Sequence, residues 1–106
     1  MEQLPQPWVE AIQSWASSEP LILAVYVFGS RAKGTAVDGS DLDIAIKVDG
    51  RDSGEALANA IFGKQKWVSL LSKAIPAAID LQSMFPDDVV VTPAVNEHGR
   101  LIFERT

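Results

Sequence analysis

Hydrophobic and polar positions repeat with two different periods along this chain, and the switches between them mark its elements. Trp8, Ile12 and Trp15 recur at spacings of four and three, which predicts one apolar face of a helix over residues 6–18. Pro7 suits the first turn of that helix, and Ser17, Ser18 and Pro20 end it. From Leu21 to Phe28 the run is continuously apolar and rich in β-branched and aromatic residues, the pattern of a strand buried on both faces. Gly29 closes it, and Ser30 can cap a short helical turn over 31–35. Gly34, Asp38, Gly39 and Ser40 read as loop.

Strict alternation follows. Leu42, Ile44 and Ile46 fall on one face of a strand over 41–48, and Asp41, Asp43 and Ala45 on the other. Residues 53–74 make the longest helical pattern, with Leu57, Ile61, Val68 and Leu71 as expected core positions and Gly63 as its weak point. Pro76 restarts an extended chain. Residues 77–83 set Ile79 and Leu81 on one face of a third strand, and Ala78, Asp80 and Gln82 on the other. A short helix is expected over 86–97, with Asp87 and Asp88 favouring its N-terminus, and a final short strand over 100–104.

Composition narrows the function classes. The 106 residues are 47% apolar, enough for one core, and predict a single domain over residues 1–106. A domain this small gains stability from a partner or a second copy. Nine basic residues against fourteen acidic ones give a net charge of -5, with no basic stripe, which argues against a nucleic-acid partner. The chain has no cysteine, so no disulfide, thiolate metal site or cysteine nucleophile is available, and this suits a reducing compartment such as the cytoplasm. The opening Met1-Glu2-Gln3-Leu4-Pro5 lacks the basic and apolar regions of a signal peptide, and no apolar run is long enough to span a bilayer.

The candidate chemistry rests on carboxylates. Asp41 and Asp43, two apart on a strand, leave the sheet together, and two bare carboxylates repel unless a cation sits between them. A hard divalent cation such as Mg²⁺ takes such oxygens together with substrate phosphates. Asp80 joins them if its strand neighbours 41–48, and three acids on adjacent strands could hold two metals about 3.5–4 Å apart. Gly29 lets a phosphate approach the backbone, and Ser30 offers a hydroxyl. The turn that follows presents free N–H groups. Arg31 and Lys33 add positive charge, although solvated surface positions suit them equally. Ser40 either joins the nucleotide site or caps the turn before the strand. Trp8, Trp15 and Trp67 read as core or interface anchors, and His98, the single histidine, as structural.

Gly29-Ser30, ten further residues, then Asp41-Leu42-Asp43-Ile44 resembles the signature of the DNA polymerase β-type nucleotidyltransferases, and the local form Gly29-Ser30-Arg31-Ala32-Lys33-Gly34 with Ser40-Asp41-Leu42-Asp43 resembles their minimal branch. The resemblance covers nearly the whole chain. It implies an α+β fold, with a small, mixed, mostly antiparallel sheet and helices packed on one face. It further implies that Asp41, Asp43 and Asp80 hold two Mg²⁺ ions, that Asp80 helps an acceptor hydroxyl lose its proton, and that Gly29 and Ser30 hold the triphosphate of ATP. Members of that branch are often paired, as antitoxins, with HEPN-domain proteins and can adenylylate that partner on tyrosine. Two other readings stay open: a small-molecule enzyme similar to aminoglycoside nucleotidyltransferases, for which a partner or second copy must supply the acceptor surface, and an antitoxin that works by binding alone.

Overall fold

The computed structural model describes residues 3–106, so Met1 and Glu2, the head of the segment read for a signal peptide, lie outside the described residues. In chain order the elements are α1 (Gln6–Ser17), β1 (Ile22–Phe28), α2 (Gly29–Lys33), β2 (Leu42–Val48), α3 (Ser53–Ala74), β3 (Ile79–Ser83), α4 (Val91–His98) and β4 (Arg100–Glu104). The strands form one sheet in the order β3-β2-β1-β4. β1 pairs antiparallel with both β2 and β4, while β2 and β3 run parallel, so the mixed, mostly antiparallel sheet is present. None of the described helices is long and apolar enough to cross a membrane.

The alternation on β2 sorts the two layers. Leu42, Ile44 and Ile46 turn inward with Val25, Val27, Leu81 and Ile102, and α1 and α3 cover them with Ile12, Trp15, Trp67 and Leu71. Burying this apolar surface is the dominant favourable term in holding the layers together. Trp15 and Trp67 meet edge to face, with ring centroids 6.4 Å apart. The Trp67 indole N–H also donates to Glu19 at 2.7 Å. Gly63 is explained by this packing, because a Cβ there would lie 2.4 Å from the Trp67 ring. All three tryptophans therefore serve the interior, with Trp8 packed at its margin.

Three expectations need correction. The N-terminal half of α3 does not bury Leu57 and Ile61, which are 47% and 68% exposed, and only Ala60, Trp67 and Leu71 of the helix are buried. Helical periodicity shows that residues share a face, not that the face meets the core. The last helix starts at Val91 rather than Pro86. The Asp88 carboxylate accepts the N–H groups of Phe85, Val90 and Thr92, which ties the preceding residues into a turn. Its hydrogen bond from the Thr92 hydroxyl, and then those backbone bonds, hold it well below the usual carboxylate range. α4 also packs on the opposite sheet face from α1 and α3, over Ala45 and Met84, so the helices do not all lie on one face.

The corrected face of α3 sets a clear stability contrast. Leu71→Ala should cost about 2–5 kcal/mol in chemical denaturation, and Ile61→Ala within about 0.5 kcal/mol. Equal losses at the two positions would contradict this packing.

Candidate active site

β2 and β3 run side by side in a register that sets Asp43 directly against Asp80. Register partners in a sheet project to the same face, so the two carboxylates share one small space. Asp41 lies one residue before β2 and is exposed. Asp80 is steadied by its own strand, because the Gln82 amide donates to its Oδ1 at 2.8 Å. Burial lifts the Asp43 carboxyl first, and the hydrogen-bonding contact with Asp80 and the charges of Asp80 and Asp41 lift it further, to about 6.

Gly29 stands at the end of β1, where Phe28 pairs with Asp43. Its φ of +71° is left-handed, and a Cβ there would lie 2.0 Å from Asp43 Oδ2. Only glycine lets the turn and the acid occupy adjoining space. α2 begins at Gly29 itself, so Ser30 sits inside the first turn rather than capping it. The Ser30 carbonyl accepts from the Thr35 N–H at 2.9 Å, and no hydrogen bond among the described residues engages its hydroxyl.

Three neighbours take other roles than phosphate contact. Arg31 is 6% exposed, and its guanidinium donates to the carbonyls of Gln3 and Ser40, both at 3.0 Å, while stacking 4.8 Å over Trp8. It turns away from the acids and braces the residue that precedes Asp41. The Ser40 hydroxyl accepts the Val37 N–H at 2.9 Å, so it closes the loop before β2. His98, read from sequence only as structural, accepts the Gly29 N–H on its Nε2 at 3.0 Å. That amide is thereby taken from any phosphate, and the histidine positions the turn. No local signal links His98 to Gly29, 69 positions away. Lys33, exposed at the end of α2, remains the cation of the pair that is free to meet an anion.

Farther along the same sheet face, a cavity of about 500 Å³ opens among Tyr26, Lys47, Met84, Phe85, Val95 and Asn96, and none of the three aspartates lines it.

The family described as polymerase beta, nucleotidyltransferase matches residues 10–106. The chain belongs to the polymerase β-type nucleotidyltransferases. Among solved structures, this nucleotidyltransferase is similar to a chain of a toxin–antitoxin complex with AMP-PNP, at 22% identity over 92% of this chain and 74% of the other, with a TM-score of 0.70. It is similar to a chain of the MntA-HepT toxin–antitoxin complex, at 19% identity over 95% and 74%, with a TM-score of 0.66. A third is from a tri-AMPylated Shewanella oneidensis HEPN toxin in complex with an MNT antitoxin, at 20% identity over 99% and 74%, with a TM-score of 0.64. At these identities the likeness carries the fold. Comparison with curated proteins gives no match.

The donor set of this nucleotidyltransferase can be tested against a divalent cation. No three acidic, histidine or cysteine side chains among the described residues gather tightly enough to cage a metal on their own. The Asp43–Asp80 pair nevertheless fits a hard cation that draws part of its shell from a substrate. Its donors are oxygens, and the two acids can both ionise comfortably only with positive charge between them.

The raised Asp43 value has a sign that can be measured. The native carboxyl binds its proton more tightly than the unfolded one, whose value is about 3.9, so without metal this group's contribution to stability falls as pH rises from about 4 to about 6. Asp43→Asn mimics the protonated form and lacks this loss. In the presence of a chelator, thermal denaturation should show the variant gaining on wild type across that window and holding its advantage above it. A difference that stays flat with pH would show that the acids are not coupled.

Proposed function

We propose that this nucleotidyltransferase moves AMP from ATP to a hydroxyl on a partner protein of the HEPN type, as the antitoxin of a toxin–antitoxin pair. The observation that carries the chemistry is the pairing of Asp43 with Asp80 beside the Gly29 turn. The destination is supported by the similar solved structures, which include a complex with AMP-PNP and an AMPylated toxin. The net charge of -5 favours a protein over a nucleic acid.

In this reading Asp41, Asp43 and Asp80 hold Mg²⁺, in two sites. Bound there, Mg²⁺ would neutralise the carboxylates and the phosphate charge that builds during transfer. The chain's own residues bind and orient. The Ser30 hydroxyl and Lys33 hold the triphosphate, and Gly29 keeps the backbone clear of it. Asp80 takes the proton from the acceptor hydroxyl. The hydroxyl oxygen forms a bond to the α-phosphorus while the bridging P–O bond to the β-phosphate breaks, and pyrophosphate leaves with that electron pair. Arg31, Ser40 and His98 act through other residues, by keeping Asp41 and the Gly29 turn in place.

With α-labelled ATP, Mg²⁺ and a HEPN-type partner protein, wild type should label the partner. Asp80→Asn should slow labelling roughly 10²–10⁴-fold, as expected for loss of a proton acceptor, and Asp41→Asn and Asp43→Asn should suppress it as well. Equal labelling by wild type and the three variants would remove the catalytic assignment.

A further inference from the structure

Outside the Asp43–Asp80 pair itself, Gln82 is the one side chain among the described residues that hydrogen-bonds an oxygen of either acid. It sits two residues after Asp80 on β3, so both side chains leave the same face of the sheet. An ionised carboxylate only accepts hydrogen bonds, so the amide must turn its nitrogen to Asp80. The contact is 2.8 Å long and goes to Oδ1. Across the sheet Gln82 stands in register with Ala45, a small side chain buried with Met84, Val91 and Val95. Gln82 also borders a groove of about 280 Å³ between α3 and β3 that Leu57 and Ile61 line. None of these neighbours offers the amide a side-chain oxygen, and Asp80 is its one side-chain partner among the described residues.

The bond restricts how Asp80 can meet a cation. A carboxylate binds an ion through one oxygen or through both, and the second mode requires its plane to turn both oxygens toward the ion. With Oδ1 held back along the strand by Gln82, only Oδ2 is free to turn into the space shared with Asp43. Protein donors are sparse here, because no three acidic, histidine or cysteine side chains among the described residues gather tightly enough to cage a metal. Ca²⁺ takes roughly 6–8 oxygens at about 2.3–2.6 Å and accepts two from one carboxylate. Mg²⁺ keeps to a near-ideal octahedron at about 2.0–2.1 Å and retains several waters. Removing one oxygen from so small a set therefore penalises Ca²⁺ more than Mg²⁺.

We propose that Gln82 is a positioning residue that makes Asp80 a one-oxygen ligand and thereby biases the site toward Mg²⁺ and against Ca²⁺. The proposal rests on the reading above that Asp43 and Asp80 hold a divalent cation. Gln82 touches neither the ion nor the nucleotide and acts through Asp80 alone. Without its amide the carboxylate can turn, which loosens the fit for the small ion and lets the large one take a second oxygen.

The test is an NMR titration of the isotope-labelled full chain with magnesium chloride and calcium chloride in separate runs. The pH is set above the range in which Asp43 titrates, so that no proton competes. Gln82→Leu keeps the bulk of the side chain and removes the donor. The variant should lose about tenfold in Mg²⁺ affinity, the low end for removing a hydrogen-bond partner of a metal ligand, and bind Ca²⁺ as well as wild type or better. In wild type the Gln82 side-chain amide signals should keep their hydrogen-bonded position at Mg²⁺ saturation. Equal losses for the two cations, which a merely structural role would give, overturn the proposal, as does no change in either. Release of the amide signals on Mg²⁺ binding overturns it without any variant, and decides alone if Gln82→Leu does not fold. Asp80→Asn separates this idea from the reading beneath it. If that variant binds both cations as wild type does, or if wild type binds neither, the metal reading falls and the selectivity role falls with it. If Asp80→Asn weakens both cations while Gln82→Leu leaves their ratio unchanged, only the role of Gln82 is lost.

Discussion

Parallel pairing of β2 with β3 forces two carboxylates into one space, and most of the site follows from that conflict. Asp43 and Asp80 are register partners on neighbouring strands. Neither can move off the sheet face, because Ile44 and Leu81, the residues that follow them, are buried on the other side. The pairing is made by the crossover through α3, whose Trp67 and Leu71 anchor the helix beneath the sheet. The chain spends core packing to hold together two charges that would separate in water, which is the arrangement expected where a cation or a proton is to be held.

Around the pair, the surrounding residues set geometry more than charge. Gly29 removes the one side-chain atom that would collide with Asp43. His98 fixes the Gly29 amide from α4, and Arg31 fixes the Ser40 carbonyl just ahead of Asp41. The buried guanidinium links α2, the loop before β2 and the segment ahead of α1, so its loss would be felt as displacement of Asp41 rather than as a missing phosphate contact.

Much of this was legible in the chain. The alternation from Asp41 to Ile46 announced both the strand and its two faces, and the third acid needed only the condition that 77–83 neighbour 41–48, which the sheet meets. What escaped depends on distance along the chain or on which surface an apolar stripe meets. Arg31 turns inward because Trp8 and Gln3 wait there, and nothing near Arg31 in sequence says so. The partnership of His98 with Gly29 likewise exists only once α4 folds across the sheet. Leu57 and Ile61 keep helical spacing with the core residues yet line the groove beside β3. The start of α4 moved because one carboxylate, Asp88, captures backbone amides that a continuous helix would have used internally.

The central claim is that the Asp43 carboxyl, raised by burial and by its neighbour Asp80, holds a proton that a divalent cation displaces. Calorimetric titration of the protein with Mg²⁺ at about pH 6, in buffers of different ionisation enthalpy, counts protons released on binding. The account predicts release of a fraction of a proton per site at that pH, vanishing by about pH 8 and absent from Asp43→Asn at both. Binding heat with no proton release at either pH, or the same release from wild type and variant, would contradict it.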